Sequence, residues 1–177
     1  MGCPPGAVRP GPARYRCGIR VSPAAASFSR SSSLGPATWA TSALVQGGLA
    51  KISSEDMERV LVSKTYGARF GVEDDVFTLS GSTRPDDVAT QLQVLAAYAT
   101  EPGWRPEALQ RMRTYAATLS EQYEATDSGV FSRDLAGLLH AGDRRWTWPS
   151  KSDIAGVSAD ALKRTYGDAL VGGPIEV

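Results

Sequence analysis

One histidine, His140, stands in the whole chain, with Asp143 three residues on. Together they could form an acid–base pair, the imidazole moving a proton near neutral pH and the carboxylate fixing its orientation. The same histidine falls where a helix is expected to end, and there it would simply face the last carbonyls. Asp74-Asp75 and Asp86-Asp87 have the form of paired-acid or metal sites. The first pair falls in a turn and the second in a helix's first turn, positions that acids occupy for backbone reasons. Arg144-Arg145-Trp146-Thr147-Trp148-Pro149 interleaves cations with aromatics, as single-strand nucleic-acid platforms do. A loop packed onto helices has the same composition. Serines are plentiful, but no G-x-S-x-G elbow presents one as a nucleophile. There is no P-loop, no G-x-G-x-x-G, no C-x-x-C and no internal repeat. A zinc helix of the H-x-x-E-H type needs two histidines one turn apart, which one histidine cannot supply.

The elements that would position these residues belong to a single ordinary domain. The chain has 177 residues, 42% of them hydrophobic, enough for a real core. Its formal net charge is zero, which argues by bulk electrostatics against a nucleic-acid or membrane-surface role. That zero is a sum of opposites. Residues 1–36 carry five arginines and no acid, while the remainder carries fourteen basic against nineteen acidic residues. Cys3 and Cys17 both lie in the basic head and make no disulfide framework. No run of eighteen apolar residues is present, so no membrane span is expected, and no apolar h-region marks a secretory signal.

The head, residues 1–36, is rich in Pro, Gly, Ser, Ala and Arg and is expected to be disordered. Three readings of it stay open: a transit-like targeting segment, a tail without evolved function, or a basic binding arm. Compartment is not fixed by any of them. From Pro36 the texture changes, and 37–177 reads as one domain. Thr38 to Leu49 predicts a short packed helix stopped by Gly47-Gly48. Ser53 and Asp56 predict a capped helix to about Ser63. Ala68, Phe70 and Val72, then Phe77 and Leu79, alternate across an acidic turn and predict an antiparallel hairpin.

Thr83 is the expected cap of the next helix, whose Val88, Leu92, Leu95 and Ala99 form an apolar stripe. Pro106 opens a longer helix with Leu109, Met112, Ala116, Leu119 and Tyr123 on one face. Val130 to Leu139 predicts another helix, Arg144 to Ser150 an irregular loop, and Ser158 the cap of a last helix to about Tyr166. Ile175-Glu176-Val177 reads as a strand cut off as it begins. The order predicts an α+β fold, helices packed on one face of a mainly antiparallel sheet.

Several stretches together resemble the insulinase/pitrilysin (inverzincin) zinc peptidases. They are Ala43-Leu44-Val45-Gln46-Gly47-Gly48-Leu49 with the helix over Ser54 to Ser63, and Phe77-Thr78-Leu79-Ser80-Gly81-Ser82 with Asp86-Asp87 after it. Leu138-Leu139-His140-Ala141-Gly142-Asp143 with Pro149, then Val157-Ser158-Ala159-Asp160, looks like the closing part of such a domain. Gly173-Pro174-Ile175-Glu176-Val177 looks like the strand leading into a next one. The resemblance covers about four-fifths of the chain and implies a metallopeptidase LuxS/MPP-like fold.

In that family four related domains enclose a peptide-cleaving chamber, and only the first holds zinc. This chain resembles the third. Alignment on Gly48 places Trp39, Ser42 and Ala43 where the first histidine, the glutamate base and the second histidine would stand. None of the three can ligate zinc or accept a proton from zinc-bound water. Glu121 and Glu124 fall near the third ligand's place and read as helix-surface carboxylates. The resemblance thus implies no catalytic, metal or cofactor residue in this chain, with zinc confined to the catalytic domain of a parent enzyme. It implies a fragment or non-catalytic domain that walls the chamber, holds peptide and packs on the catalytic half.

A stand-alone partner subunit of processing-peptidase or respiratory-complex type is the alternative. An unrelated α+β binding domain is a remote third. The strands that open a family domain are expected to be missing, their place taken by the head, leaving exposed sheet edges. The aromatic loop and the hairpin edge are the candidate peptide-contacting surfaces.

Overall fold

The computed structural model of the chain describes residues 14–22, 39–73, 76–143, 146–167, 170 and 174–177. Strand β1 (Tyr15–Val21) comes first, followed by helices α1 (Ser42–Gln46) and α2 (Ser54–Val60) and the hairpin β2 (Arg69–Val72) and β3 (Phe77–Thr83). Helices α3 (Val88–Thr100), α4 (Pro106–Glu124), α5 (Asp127–Leu139), α6 (Lys151–Gly156) and α7 (Ala159–Leu162) follow, then β4 (Ile175–Glu176). The sheet is antiparallel and open, in the order β2-β3-β1-β4. The architecture is the α+β arrangement that the element order predicts.

The head corrects one expectation. Residues 15–21 form a strand in the interior of the sheet, paired with β3 from Tyr15↔Thr83 to Val21↔Phe77 and with β4 through Val21↔Ile175. The sequence YRCGIRV alternates, and its pleat turns Cys17, Ile19 and Val21 inward while Arg16, Gly18 and Arg20 face outward. The opening strand expected to be missing is therefore supplied by the head itself. Residues 1–13 and 23–36 lie outside the described residues, as do Asp74 and Asp75.

The inner face of the sheet meets the helices. Ile19, Val21, Phe70, Phe77 and Leu79 pack with Leu44 of α1, Leu95 and Tyr98 of α3 and Leu109 and Met112 of α4. Phe70, Phe77 and Tyr166 form an aromatic triangle with ring centroids 5.3–5.8 Å apart. Such tilted and edge-on pairs add to area burial.

Ser53 caps α2 as expected, accepting from the Asp56 N–H at 3.1 Å. Thr83 does not cap α3: it ends β3, fully buried, and its hydroxyl donates to the Thr65 carbonyl. A 3₁₀ turn at Pro85–Asp87 leads into α3 instead. Helix α5 starts at Asp127, where the Thr126 hydroxyl accepts from Gly129 N–H, earlier than the apolar run suggested. Helix α6 was not expected; Ser150 and Asp153 close a capping box around its first turn.

Two polar side chains pin the segment between α2 and β2. The Gln91 amide donates to Gly67 O and accepts from Gly67 N–H, at 2.7 and 2.8 Å. Asp87, 2% exposed, accepts from Thr65 N–H at 2.9 Å and Arg84 Nη2 at 2.6 Å and pairs with Lys64 Nζ at 3.1 Å. These partners, the Thr65 N–H first and Arg84 next, lower its pKa from 3.8 to about 2.

A carboxyl depressed on folding stabilises fully above its ordinary value and loses that contribution as pH falls through the folded one. Asp87→Asn is therefore expected to lower the urea midpoint at pH 7. The difference from the wild type should shrink as pH drops from 3.8 toward about 2. Ile19→Ala is expected to cost about 2–5 kcal/mol, and Arg20→Ala no more than about 0.5 kcal/mol, in urea melts of the full chain.

Candidate functional site

Helix α1 stands where the sequence alignment puts a zinc helix, and its chemistry there is packing. Ala43 is 5% exposed, and Trp39, one turn earlier, packs against the hydrophobic core. Residues four apart share a helical face, so the positions of the two would-be histidines point into the protein. Ser42 is exposed. Among the described residues no three of His, Cys, Asp and Glu converge as a metal-binding group.

The end of α1 is held by side chains from three other helices or their flanks. Tyr98 Oη donates to Val45 O at 3.0 Å, Ser54 Oγ to Gln46 O at 3.1 Å and Arg111 Nη2 to Gln46 O at 3.3 Å. Arg105 Nη1 donates to Gly47 O and, at 2.8 Å, to Leu49 O. Last-turn carbonyls lack intrahelical partners, and cations suit that end of the dipole. Burial pushes the Tyr98 phenol up to about 12, which keeps it a proton donor across the neutral range.

The backbone is equally constrained. Gly48 has φ +67°, and Gly103 N–H donates to Gly48 O at 2.8 Å. A Cβ on Gly103 would lie 2.5 Å from Gly47 O. Only glycine fits there.

Glu121 and Glu124 are exposed on α4, and Glu124 pairs with Arg133 at 3.6 Å. His140 ends α5, and its ring stacks on Trp146 at 4.1 Å and 10°. It therefore makes an aromatic contact that the sequence pattern did not suggest. Asp86 is exposed, and Asp87 serves the buried cluster described above.

The aromatic loop does form a surface feature. Arg144 and Arg145 lie outside the described residues, but Thr147 to Lys151 join α4 and α5 in lining a cleft of about 590 Å³. Trp148 makes its wall: the indole donates to Ser120 Oγ at 2.8 Å and meets the Tyr123 ring edge-on at 5.3 Å. Arg133 also lines the cleft, bound through Nε and Nη2 to Asp134 at 2.6 and 2.9 Å. That pairing raises the guanidinium's pKa and lowers the carboxyl's, so both stay charged. Such a cleft can hold an apolar group beside paired charges. Ser120, Arg133 and Asp134 escaped the sequence reading because they meet the loop only in the folded chain.

No family model matches this sequence, and no curated protein matches it. Solved structures do. The ferredoxin protease FusC, as a mutant in complex with Arabidopsis ferredoxin, matches with a TM-score of 0.66 and 21% identity over 92% of this chain and 18% of its own. The periplasmic protease PqqL from Escherichia coli gives 0.67 and 14%, over 94% of this chain and 19% of its own. A peptidase M16 inactive domain from Pseudomonas fluorescens gives 0.62 and 17%, over 85% and 37%. These are M16, or insulinase/pitrilysin, peptidases and domains. The chain shares their fold. It spans less than half the length of the solved structures it matches.

Arg105→Met keeps the aliphatic stem and removes both carbonyl contacts. It is expected to cost about 1.5–3 kcal/mol in a urea melt, the range for hydrogen bonds to a charged group. A cost below about 0.5 kcal/mol would mean that water serves those carbonyls equally well.

Proposed function

We propose that this chain is a non-catalytic domain of an insulinase-type zinc peptidase, resembling the third of four related domains. Its work is to wall the peptide chamber, hold substrate and pack against the catalytic half, which carries the zinc. The observation that carries this reading is the α1 face. In a fold shared with M16 peptidases and an inactive M16 domain, the positions aligned with the metal ligands hold Trp39 and Ala43, turned into the core.

A second reading draws support from β1. A non-catalytic partner subunit of processing-peptidase or respiratory-complex type needs a sheet that stands without a neighbour. Here the head contributes an interior strand bonded on both sides. Both readings make the chain's partner another peptidase-type domain or subunit, and neither gives it hydrolysis of its own.

The test is zinc content and hydrolysis of a quenched fluorescent peptide library, measured on the full chain after zinc loading and dialysis. Zinc well below stoichiometric and no turnover are expected. A stoichiometric, chelator-removable zinc with turnover would refute both readings. Circular dichroism and tryptophan fluorescence then separate them: coincident urea transitions favour the partner subunit, and divergent ones a domain that leans on its neighbour.

A further inference from the structure

The helices cover one face of the sheet, and the other face has a composition of its own. Its residues are set by the pleat. Arg16, Gly18 and Arg20 of β1 lie across from Ser82, Ser80 and Thr78 of β3, which in turn lie across from Arg69 and Gly71 of β2 at the Ser80 and Thr78 positions. Arg16, Arg20, Arg69, Ser80 and Ser82 are exposed, and Arg14 continues the row beyond the strand. No ion pair involves these four arginines among the described residues, although Arg59, Arg84 and Arg133 are all paired. The acids near this face are at one end: Glu176 opposite Arg20, and Glu73 just past β2. Toward Arg14, Arg16 and Arg69 no carboxylate of the described residues forms an ion pair with the guanidinium groups.

We infer that this bare sheet face is a docking surface for an acidic, extended peptide segment, whose carboxylates pair with Arg16, Arg69 and Arg20 over a floor of small hydroxyl residues. The charge pattern selects the occupant. A guanidinium takes a carboxylate with two parallel hydrogen bonds, which a hydrated lysine cannot match. Arg16 and Arg20 are separated by about 14 Å along the strand, at about 3.4 Å per residue. Arg69 lies about 10 Å from Gly18 across two strand spacings, and so about 12 Å from each of those arginines. An extended chain with acids at alternate positions presents carboxylates about 7 Å apart on one side, so it can reach all three.

The floor matters as much as the charge. Gly18, Gly71, Ser80, Ser82 and Thr78 keep the surface low between the arginines, so a peptide can lie close, and the hydroxyls can donate as well as accept. Nucleic acid is the disfavoured occupant. No aromatic side chain lies on the outward positions of these strands to stack a base, and the whole chain has no net positive charge. This proposal rests on the peptide-holding role and gives it a charge preference.

The test uses the full chain and fluorescein-labelled twelve-residue peptides in three forms, alternating Glu-Ser, alternating Gln-Ser and alternating Lys-Ser. Anisotropy is read at low and at physiological salt, with a labelled oligothymidine as polyanion control. The acidic peptide should bind best, weaken with salt, and weaken about tenfold in the triple variant R16Q/R20Q/R69Q. All three positions are exposed, and an unchanged urea melt verifies that the variant is folded.

Binding of acidic and neutral peptides alike, insensitive to salt and to the variant, would overturn the arginine face while leaving peptide holding intact. Binding of none would overturn both. An oligothymidine held as tightly as the acidic peptide would show a general polyanion surface and overturn the commitment to peptide.

Discussion

The structure depends on a crossing of two backbone segments. Gly47-Gly48-Leu49, leaving α1, lies directly against Pro102-Gly103-Trp104-Arg105, the turn between α3 and α4. Hydrogen bonds run from Gly103 N–H to Gly48 O and from Ala50 N–H to Glu101 O, and Leu49 and Pro102 form an isolated β-bridge. Main chains approach this closely only without side chains between them, so both segments carry glycine at the contact. The turn even holds Trp104 at φ +43°, a conformation that side chains other than glycine's seldom adopt. Arg105 then reaches back to the carbonyls beyond α1. One crossing ties the end of α1 to the turn between α3 and α4.

That crossing explains what α1 is for. A metal helix must turn its ligands toward an open site, and its neighbours must leave room for water and substrate. Here the neighbours close on the helix, with Tyr98, Ser54 and Arg111 bonded to its last carbonyls, Arg105 to those just beyond, and its own Ala43 buried. The surfaces left for other molecules lie elsewhere. One is the cleft walled by Trp148 on the helical side, and the other is the outer face of the sheet. The α1 face itself is given over to packing.

Much of this was legible in the sequence. The Phe70/Val72 and Phe77/Leu79 alternation marked a hairpin, and Ser53 and Pro106 marked helix starts, because those signals are local. The stripe of α3 was placed slightly off its axis: Val88 and Leu92 are half-buried, while Gln91 and Tyr98 are buried through hydrogen bonds to backbone carbonyls. Apolarity alone cannot rank a glutamine that finds both partners.

The larger error was β1. Its seven alternating residues sit in a head dominated by Pro, Gly and Ser, where two outward arginines and a glycine blur the pattern. Its pairing partners are about sixty residues or more away in sequence, so no local window contains the reason it is a strand. The cleft is hidden for the same reason: Trp148 is visible as part of a loop, but Ser120 bonds it and Arg133 joins it in lining the cleft only across helices. His140 shows the complementary failure, since its stack on Trp146 follows from a turn that composition does not encode.

The most direct test of the account is to restore the ligands it says are missing. In the full chain, Trp39→His, Ser42→Glu and Ala43→His together rebuild H-x-x-E-H at the aligned positions, with Glu121 and Glu124 still present. Zinc stoichiometry after dialysis and the urea midpoint would be measured on that variant. If the α1 face is committed to packing, zinc stays well below stoichiometric and the midpoint falls, because polar rings replace a buried methyl group and a half-buried indole packed on the core. A variant that melts like the wild type and holds one chelator-removable zinc per chain would contradict the account.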